Sequence, residues 1–528
     1  MYDGEEVSGV RASSGDAELR AVADAVESSL GPFGHSKLLL CDDGTVTVTA
    51  SAAELLERLD VDDPTVALLE ETVRNVRGRE GDGAGTVVVL AGALLAEAAR
   101  LVEEGLRPTA IERGYRHGCG LAFAAVDEAA RPLSAFGLAP VARTALTGTR
   151  VPRVRESVAE RVAEAVESVG PRADRRIGVV SRPGGGVGET ELVRGAVVEE
   201  GPVLDTMPRS SNRPGVAVLS STVDVPRVGS QTGRVQRRVV LEVDSLTDRE
   251  AVARRELAAF ESALEATVDA GCGALFTERA INERIQSELA ASGVLGVQRV
   301  DSGTLRQVVR ATGAAVVPTL EQVTADALGT GSVEVRREAG RDLTVVTSES
   351  GEPTYTMFCR APDPRSVTAF ERSVEAAIAA TAAASRDERV VPGGGAVETA
   401  AATAVRRGAR GLGDRRQYAV EAFGEALLAV PGVLAETAGL DRATALADLR
   451  AAHADGRDSV GVDVLSAATT DVLGADPVVD PVPVKRGVLS AATELAVRAV
   501  RTDERLEATD LGDEEHDPPE GVDPPEEE

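Results

Sequence analysis

The chain of 528 residues has few aromatic side chains, with eight Phe, four Tyr and no Trp, which make up 2% of the sequence. Its core must therefore be built mainly from Val, Leu and Ala, because apolar residues as a whole still reach 43%. Such a composition favours many helices packed on modest sheets. A chain of this length is too long for one core and is expected to form about three domains.

Cysteine and histidine are equally scarce, with four residues of each type. The cysteines are Cys41, Cys119, Cys272 and Cys359, and the histidines are His35, His117, His453 and His516. Neither set has the paired spacing of a disulfide framework or a metal site, so we expect reduced thiols in a cytosolic protein. These residues also form no catalytic constellation, which disfavours an ATP-using metabolic enzyme.

Long hydrophobic runs are absent. No uninterrupted apolar stretch approaches the roughly 18 residues needed to span a bilayer, and the N-terminus lacks the basic-then-apolar pattern of a signal peptide. These two absences predict a cytoplasmic location and no membrane partner.

Positive charge is also in short supply, since the formal net charge is −29 and the pI is near 4.7. A surface this acidic repels phosphate backbones, so nucleic acid is not an expected partner. Dense carboxylates suit concentrated salt, where screening weakens their mutual repulsion. The composition is therefore typical of a halophilic microbial cytosol.

Lysine is almost missing, because only Lys37 and Lys485 are found among 57 basic residues. A bias toward Arg across the whole chain explains the scarcity. This bias does not explain the positions of the two lysines, since Lys37 lies beside a glycine loop and Lys485 follows the last glycine segment. A retained Lys can mark a site that needs a compact ammonium group.

Four short glycine-rich segments stand out near the two ends of the chain. They are GPFG at 31–34, GDGAGT at 81–86, PGGG at 392–395 and GVDV at 461–464. A glycine turn that opens a helix presents free amide groups and the positive end of the helix dipole, which suits a phosphate. The layout predicts one nucleotide site, split between the two ends around a large insertion.

Hydrophobic periodicity places these segments on regular elements. Helices are predicted over 16–30, 64–79 and 86–104, with a strand at 45–49. In the middle of the chain, apolar strands at 216–219, 273–276, 295–300 and 314–317 alternate with helices over 279–292 and 303–311. This βαβ rhythm predicts a small α/β domain.

Two segments interrupt this pattern. Residues 222–250 form a long polar excursion that ends in a capping box, Thr247-x-x-Glu250, and its remaining strand-like pattern favours a projecting arm over a disordered loop. The C-terminal stretch from 502 is rich in acidic residues and proline and has too little apolar surface to fold.

Five segments in order resemble the group II chaperonins, the thermosomes of archaea. LGPFGHSKLLL (30–40) is similar to the family's LGPKGMDKML, GDGAGTVVVLAGALL (81–95) to GDGTTTAVVLAGELL, and RPTAIERGYR (107–116) to HPTVIARGYR. VVPGGGAVE (390–398) matches almost letter for letter, and VVDPVPVKRGVLSAATE (478–494) resembles the closing segment. The resemblance runs from residue 8 to residue 509, essentially end to end.

The resemblance implies a multidomain α+β fold with a mainly helical equatorial domain, a small hinge domain and an α/β apical domain. The apical excursion at 222–250 would be a helical protrusion that serves as a built-in lid. The implied boundaries are 1–146 and 395–509 equatorial, 147–205 and 361–394 intermediate, 206–360 apical, and 510–528 a disordered acidic tail. Homologous subunits would assemble into a double ring that encloses unfolded client proteins.

The resemblance also implies roles for residues of the N-terminal half of the site. Gly31, Pro32 and Gly34 would shape a loop over the phosphates of ATP, with Lys37 at its edge. Asp82 would hold Mg²⁺, because a hard cation prefers a carboxylate oxygen beside the phosphates. Gly83 and Thr86 would donate hydrogen bonds to phosphate.

Three residues of the C-terminal half complete the implied site. Gly394 would approach the nucleotide, Asp463 would lie near the base, and Asp480 would bind the ribose hydroxyls. For Asp82 and Asp480 the alternative is an ordinary turn residue.

Two departures from the family affect the chemistry. The Asp of the family's TNDG segment, which helps to place the attacking water, is replaced by Ser51, and the Asp of ERSLHDAL, the base near the γ-phosphate, is replaced by Ala376. Glu54 and Glu375 lie close by, but helix geometry predicts that Glu375 points away, which leaves Glu54 as the better substitute. GDGAGT also lacks two threonine hydroxyls, at Ala84 and Gly85.

These departures leave two functional hypotheses. The first is an ATP-binding chaperonin subunit with weak hydrolysis of its own, in a ring where sibling subunits supply turnover. The second is a structural or regulatory ring subunit that does not hydrolyse ATP at all.

Overall fold

The computed structural model describes residues 14–40, 46–59, 61, 63–146, 152–211, 215–224, 258, 260–348 and 350–502. The predicted protrusion lies outside the described residues from residue 225 onward, and so does the predicted tail at 510–528. The helices are α1 Ser14–Glu27, α2 Ala52–Arg58, α3 Pro64–Glu80, α4 Ala84–Glu103, α5 Pro108–Ala129, α6 Ala139–Ala145, α7 Pro152–Val169, α8 (described over 260–269), α9 Glu283–Ala291, α10 Ser302–Thr312, α11 Pro364–Asp387, α12 Ala396–Ala409, α13 Arg416–Ala426, α14 Ala429–Thr437, α15 Arg442–Ala454 and α16 Val482–Arg501.

The strands are short and belong to several separate sheets. They are β1 Lys37–Leu40, β2 Val46–Thr49, β3 Arg131–Pro132, β4 Ile177–Pro183, β5 Glu191–Arg194, β6 Ala196–Val198, β7 Ser210–Ser211, β8 Gly215–Leu219, β9 Cys272–Thr277, β10 Leu295–Val297, β11 Val316–Val317, β12 Gly329–Thr330, β13 Ser332–Glu338, β14 Arg341–Thr347, β15 Tyr355–Ala361, β16 Arg389–Pro392, β17 Val460–Asp463, β18 Ala468–Asp471 and β19 Val479–Pro481. Together with the helices they form the predicted multidomain α+β fold.

The largest apolar core joins the two ends of the chain. It contains buried residues of α1 to α5 from the N-terminal part and of α12, α13 and α16 from the C-terminal part. Tyr115 is fully buried in this core, where its hydroxyl donates a hydrogen bond to the Leu94 carbonyl at 2.6 Å. The sheet β19-β16-β3 joins the two parts a second time.

The middle of the chain has its own apolar core around a five-stranded sheet. The strands β8, β9, β10 and β11 pair in parallel, which confirms the predicted βαβ rhythm. All residues of β8 and β9 are buried, as expected for parallel strands covered on both faces. The strand predicted over 295–300 ends earlier, at Val297, and the helix predicted from 279 begins at Glu283, where the Asn282 side chain caps its first turn.

A third core lies between these two and is formed by α6, α7, α11 and the inner residues of β4 and β15. The helix α11 contacts α6 and α7 on this side and reaches α3 and α16 of the largest core on the other. This long helix therefore connects the third core to the largest core.

Two helical stretches, Ala84–Glu103 and Arg416–Thr437, are long and apolar enough to cross a membrane by length and composition. The sequence expectation considered only uninterrupted apolar runs and missed both. The first is α4, which packs against α1, α13 and α16 inside the largest core. This packing accounts for its hydropathy without a bilayer.

Candidate nucleotide site

The first glycine turn follows α1 and lies against the C-terminal part of the chain. Gly31 has a left-handed φ of 86°, and a Cβ atom there would lie 2.9 Å from Leu434 of α14. A Cβ at Gly34 would lie 2.0 Å from the Ser29 carbonyl oxygen, so only glycine fits this bend. Lys37 Nζ donates a hydrogen bond to Ser28 Oγ at 2.8 Å and so lies beside the turn, as expected.

The second turn connects α3 to α4 and carries Asp82. Gly81 and Gly83 flank it with φ values of 76° and 92°, which let the chain end one helix and start the next within three residues. The half-buried carboxylate of Asp82 accepts a hydrogen bond from the Gly83 amide at 2.6 Å. No side chain caps the N-terminus of α4, so amide groups remain for an anion.

The third turn lies between β16 and α12. Gly394 has a φ of 59°, and its carbonyl accepts a hydrogen bond from the Val462 amide at 2.8 Å. Asp463 follows directly at the end of β17, where its carboxylate accepts hydrogen bonds from the Leu465 amide and the Ser466 hydroxyl. The structure thus brings the segments PGGG and GVDV into contact.

Lys485 lies at the centre of the site with most of its side chain covered. Its Nζ is 2.9 Å from Asp480 Oδ2 and 2.8 Å from Glu398 Oε1. Burial alone would lower the pKa of this ammonium, but the two carboxylates outweigh burial and hold the pKa above its ordinary value. The group is therefore a fixed positive charge.

Asp82 belongs to the same electrostatic cluster. Burial raises the pKa of its carboxyl above the ordinary value, and the negative charge of Asp480 raises it further. The Gly83 amide and the Lys485 ammonium oppose this rise. Asp82 and Asp480, from opposite ends of the chain, therefore lie close enough for the charge of Asp480 to act on Asp82, and a bound cation would relieve their repulsion.

Thr86 completes the group of predicted residues that meet. It lines a cavity of about 10 Å³ together with Glu398 and Lys485. Glu398 Oε2 is buried without a hydrogen-bond partner among the described residues, so one acceptor remains for a ligand hydroxyl or a water.

Not all predicted residues converge on this cluster. Within the described part of the chain, no hydrogen bond or ion pair connects Lys37 or Asp463 to Asp82 or Asp480. Pro32 lies in the first turn with partial exposure. These three residues border the site, whereas Asp82, Gly83, Thr86 and Asp480 form its centre.

Sequence reasoning missed two central residues. Lys485 was noticed for the rarity of lysine but was not assigned to the site, although it pairs with Asp480. Glu398 carries no local signal, since it is one acidic residue in the first turn of α12. Only the fold reveals that it neutralises Lys485.

Ser51, at a position where the resemblance implies a family Asp, caps α2. Its hydroxyl accepts a hydrogen bond from the Glu54 amide at 3.4 Å. This role is structural, and a serine hydroxyl lacks the charge needed to orient a water as a carboxylate does.

Glu54, the proposed substitute for the missing carboxylate, is already engaged. Its Oε2 accepts a hydrogen bond from Arg372 of α11, and its Oε1 lies 3.2 Å from Arg58 Nε. Burial would raise the pKa of Glu54, but the hydrogen bonds from Thr49 and Arg372 and the neighbouring arginine charges hold it below its ordinary value. A weakly basic, doubly paired carboxylate is a poor general base.

Ala376, at the second position where the resemblance implies a family Asp, lines a cleft together with Gly81, which precedes Asp82. Glu375 lines the same cleft, so the expectation that it points elsewhere is wrong. Its carboxylate lies 3.7 Å from the Arg77 guanidinium, and this arginine attracts the side chain toward α3.

Comparison with known proteins identifies the family. The sequence model of the TCP-1/cpn60 chaperonin family matches residues 22–510. A thermosome subunit of Methanopyrus kandleri is 33% identical over 503 residues, covering 93% of this chain and 91% of the relative. Thermosome subunit 3 of Haloferax volcanii is 34% identical over 515 residues, covering 94% and 96% respectively. Thermosome subunit beta of Halobacterium salinarum is 32% identical over 511 residues, covering 94% and 90%.

These matches extend across both halves of the split site and the insertion between them. The chain belongs to the TCP-1/cpn60 chaperonin family, as a group II subunit of the thermosome type.

Proposed function

We propose that the chain is an ATP-binding subunit of a double-ring chaperonin that assists the folding of unfolded proteins in an enclosed chamber. One observation carries the nucleotide part of this proposal: Asp82 from one end of the chain and Asp480 from the other converge on Lys485. A cluster of this kind is what a split site for one triphosphate requires.

The donor groups fit Mg-ATP. The N-termini of α4 and α12, at Gly83 and Gly395, have no side-chain cap and can donate amide groups to phosphate oxygens. Asp82 would hold Mg²⁺, which adds positive charge beside the phosphates. Among the described residues no group of three or more His, Cys, Asp or Glu forms a metal cluster. Proteins commonly bind Mg²⁺ through one or two carboxylates together with phosphate oxygens, so a single carboxylate at Asp82 is enough for the role proposed here.

Hydrolysis by this subunit should be weak. Neither Ser51 nor Ala376 can accept a proton from the attacking water, and Glu54 is held by Arg372 and Arg58. A general base typically contributes a factor of about 10²–10⁴ to the rate. Without one, this subunit would still bind ATP but would hydrolyse it slowly. Sibling subunits with both carboxylates would then supply turnover in a mixed ring.

The three-part division of the chain is part of the proposal. The equatorial domain would comprise 1–146 and 395–509, the hinge 147–205 and 361–394, and the apical domain 206–360. Three separate apolar cores support this division, and α11 would lie in the hinge, where it contacts α3 and α16 of the largest core.

The cellular location of the ring is proposed from the amino-acid composition of the chain and from the organisms of its relatives. The net charge of −29 and the similarity to subunits of Haloferax and Halobacterium favour a salt-rich archaeal cytoplasm. Unfolded clients would be recognised through exposed apolar patches, with no requirement for a sequence motif.

Two measurements on the purified ring test this function and distinguish it from a structural subunit that does not hydrolyse ATP. Equilibrium binding of Mg-ATP should be saturable, and a single-turnover assay should show slow conversion of the bound ATP to ADP. No conversion at all would favour the structural or regulatory alternative. A rate equal to that of a sibling subunit carrying both Asp residues would refute the interpretation of Ser51 and Ala376.

A further inference from the structure

Arg155, in the first turn of α7, is a buried charge that lacks a partner in the described part of the chain. Its exposed fraction is 8%, and its Nε atom is buried without a hydrogen bond. Among the residues that the structure describes, no hydrogen bond or ion pair reaches its guanidinium group. The other buried arginine, Arg360, forms an ion pair with Glu338 at 2.6 Å. Arg155 is therefore an exception that requires an explanation.

The burial of an unpaired charge is strongly unfavourable, because the ion loses its water and gains no counter-charge. Native proteins pair nearly all buried polar groups, so an exception indicates a bound ion or a functional role. A partner for Arg155 must carry negative charge and must reach the first turn of α7.

Four charged side chains are near enough to act on Arg155, namely Arg143, Glu156, Asp463 and Asp476. Burial and the positive charge of Arg143 lower the pKa of the Arg155 guanidinium, and the three carboxylates oppose this shift. Glu156 is already paired with Arg143 at 2.8 Å, and the side chain of Asp476 is 95% exposed to solvent. Asp463 is the remaining carboxylate.

The chain between β17 and β19 is held against the start of α7 by two residues of α6. The Arg143 guanidinium donates hydrogen bonds to Glu156 of α7 at 2.8 Å and to the Pro477 carbonyl at 3.0 Å. The Thr144 hydroxyl accepts a hydrogen bond from the Val479 amide at 3.2 Å. These contacts place the start of α7 beside the chain that leads away from the predicted nucleotide-binding aspartate of β17.

Asp463 is connected at the same time to a glycine turn of the nucleotide site. The preceding amide, of Val462, donates a hydrogen bond to the Gly394 carbonyl at 2.8 Å. The Asp463 carboxylate accepts hydrogen bonds from the Leu465 amide at 3.0 Å and from the Ser466 hydroxyl at 2.5 Å. A carboxylate has about four acceptor sites, so it can accept a guanidinium in addition to these two bonds.

We propose that Arg155 is a positioning residue of the nucleotide site, which pairs with Asp463 when ATP is bound and so connects the base side of the site to α7. This inference rests on the proposed function, in which Asp463 lies near the base and α7 belongs to the hinge. Nucleotide bound at the Gly394 turn acts on the adjoining end of β17, and the guanidinium gains the carboxylate that it lacks. By linkage, ATP binding and this position of the hinge helix stabilise each other.

A double-mutant cycle for the Mg-ATP affinity of the full-length ring tests this pairing. The variants are Arg155→Met, Asp463→Asn and the combination of both. Each single variant should bind Mg-ATP about tenfold more weakly, which lies within the usual range of coupling between residues in contact. The double variant should bind no more weakly than the weaker of the two single variants, because the second substitution removes nothing further.

Two further variants separate charge from packing. Arg155→Lys keeps the positive charge and should retain most of the affinity, whereas Arg155→Met fills a similar volume without charge. Arg153→Met, at an exposed arginine in the same turn, is the matched control and should bind as the parent chain does. A purely structural role of Arg155 would instead make Arg155→Lys and Arg155→Met lose affinity alike.

Urea denaturation without nucleotide provides a measurement that is independent of binding. Arg155→Met should not lower the denaturation midpoint, because an apolar side chain replaces an unpaired buried charge. Saturating Mg-ATP should then raise the midpoint of the parent chain more than that of the variant. A lower midpoint of the variant without nucleotide would show that Arg155 already stabilises the free chain, which contradicts the proposal.

The outcomes distinguish this inference from the proposed function. Additive losses in the cycle, or equal Mg-ATP affinity of the parent chain and Arg155→Met, would overturn the pairing and leave ATP binding intact. Absence of Mg-ATP binding by the parent chain would overturn the proposed function and the pairing together.

Discussion

Glu54 of α2 forms an ion pair with Arg372 of α11, although the two residues are 318 positions apart. The pair crosses from the largest core to the helix that connects it with the third core. Ser51, at one of the two positions where the family resemblance implies a catalytic Asp, caps the same short helix, so this contact lies next to it. The short helix α2 is therefore held to α11 by a salt bridge that needs no nucleotide.

Removing the Glu54 charge should weaken this connection. Glu54→Gln leaves Arg372 without its anionic partner, and we expect a loss of about 1–3 kcal/mol of stability, less than for a fully buried pair because Arg372 is partly exposed. Urea denaturation measures the loss. Glu57→Gln, an exposed residue on the same helix, is the control and should change little. Equal effects of the two substitutions would show that the ion pair contributes nothing.

The same pair should make stability depend on pH. The pKa of Glu54 in the folded protein lies below its ordinary value of 4.5, so the ionised form is favoured by folding. Its contribution is fully present above the pKa of the unfolded chain and is lost as the pH falls through the lower, folded pKa. The difference in unfolding free energy between the parent chain and Glu54→Gln should be constant above about pH 5.5, roughly one unit above that value, and should shrink below pH 4.5. A difference that stays constant down to pH 3, about 1.5 units below the ordinary value, would contradict the assigned cause.

Lys485 should matter far more than the other lysine. Lys485→Met leaves the buried carboxylates of Asp480 and Glu398 facing each other without a counter-charge, and we expect a loss of about 3–5 kcal/mol together with weaker Mg-ATP binding. Lys37→Met removes only the hydrogen bond to Ser28 and should cost about 0.5–1.5 kcal/mol. Chemical denaturation and nucleotide titration of both variants provide the comparison. Similar losses in the two variants would argue against a central role for Lys485.

Restoring both missing carboxylates should raise the rate of hydrolysis. Ser51→Asp keeps a good helix cap, because Asp is as favourable as Ser at that position. Ala376→Asp adds a carboxylate beside Gly81, where the cleft has room for it. We expect the double variant to convert bound ATP about 10²–10⁴ times faster than the parent chain in a single-turnover assay. No gain would locate the defect elsewhere, for example in the phosphate cradle that lacks hydroxyls at Ala84 and Gly85.

The turns of the site were predictable from sequence because their cause is local. Gly81, Gly83 and Gly394 adopt positive φ values that other residues rarely accept, so the glycine pattern marks the turns directly. The helices around them follow from apolar periodicity, which is also a property of neighbouring residues. Local signals of this kind predicted α1, α3 and α4 with small errors at their ends.

The ion pairs of the site were not predictable because their cause is tertiary. Glu54, Arg372 and Glu398 are ordinary charged residues on helices, and nothing nearby in sequence distinguishes them from solvent-exposed ones. Glu54 and Arg372 are 318 positions apart, and Glu398 and Lys485 are 87 positions apart, so only the packed structure reveals these partners. Lys485 is the exception, because the rarity of lysine marks its position in the sequence.

Photoaffinity labelling with two ATP analogues tests the central claim that residues from both ends of the chain bind one nucleotide. One analogue carries its reactive group on the base and the other on the terminal phosphate. We expect labelled peptides from the segment 31–86 and from the segment 394–480, lost in both cases when unlabelled Mg-ATP competes or when Asp82 is replaced by Ala. Labelling confined to one end of the chain, or labelling that Mg-ATP does not displace, would contradict the account.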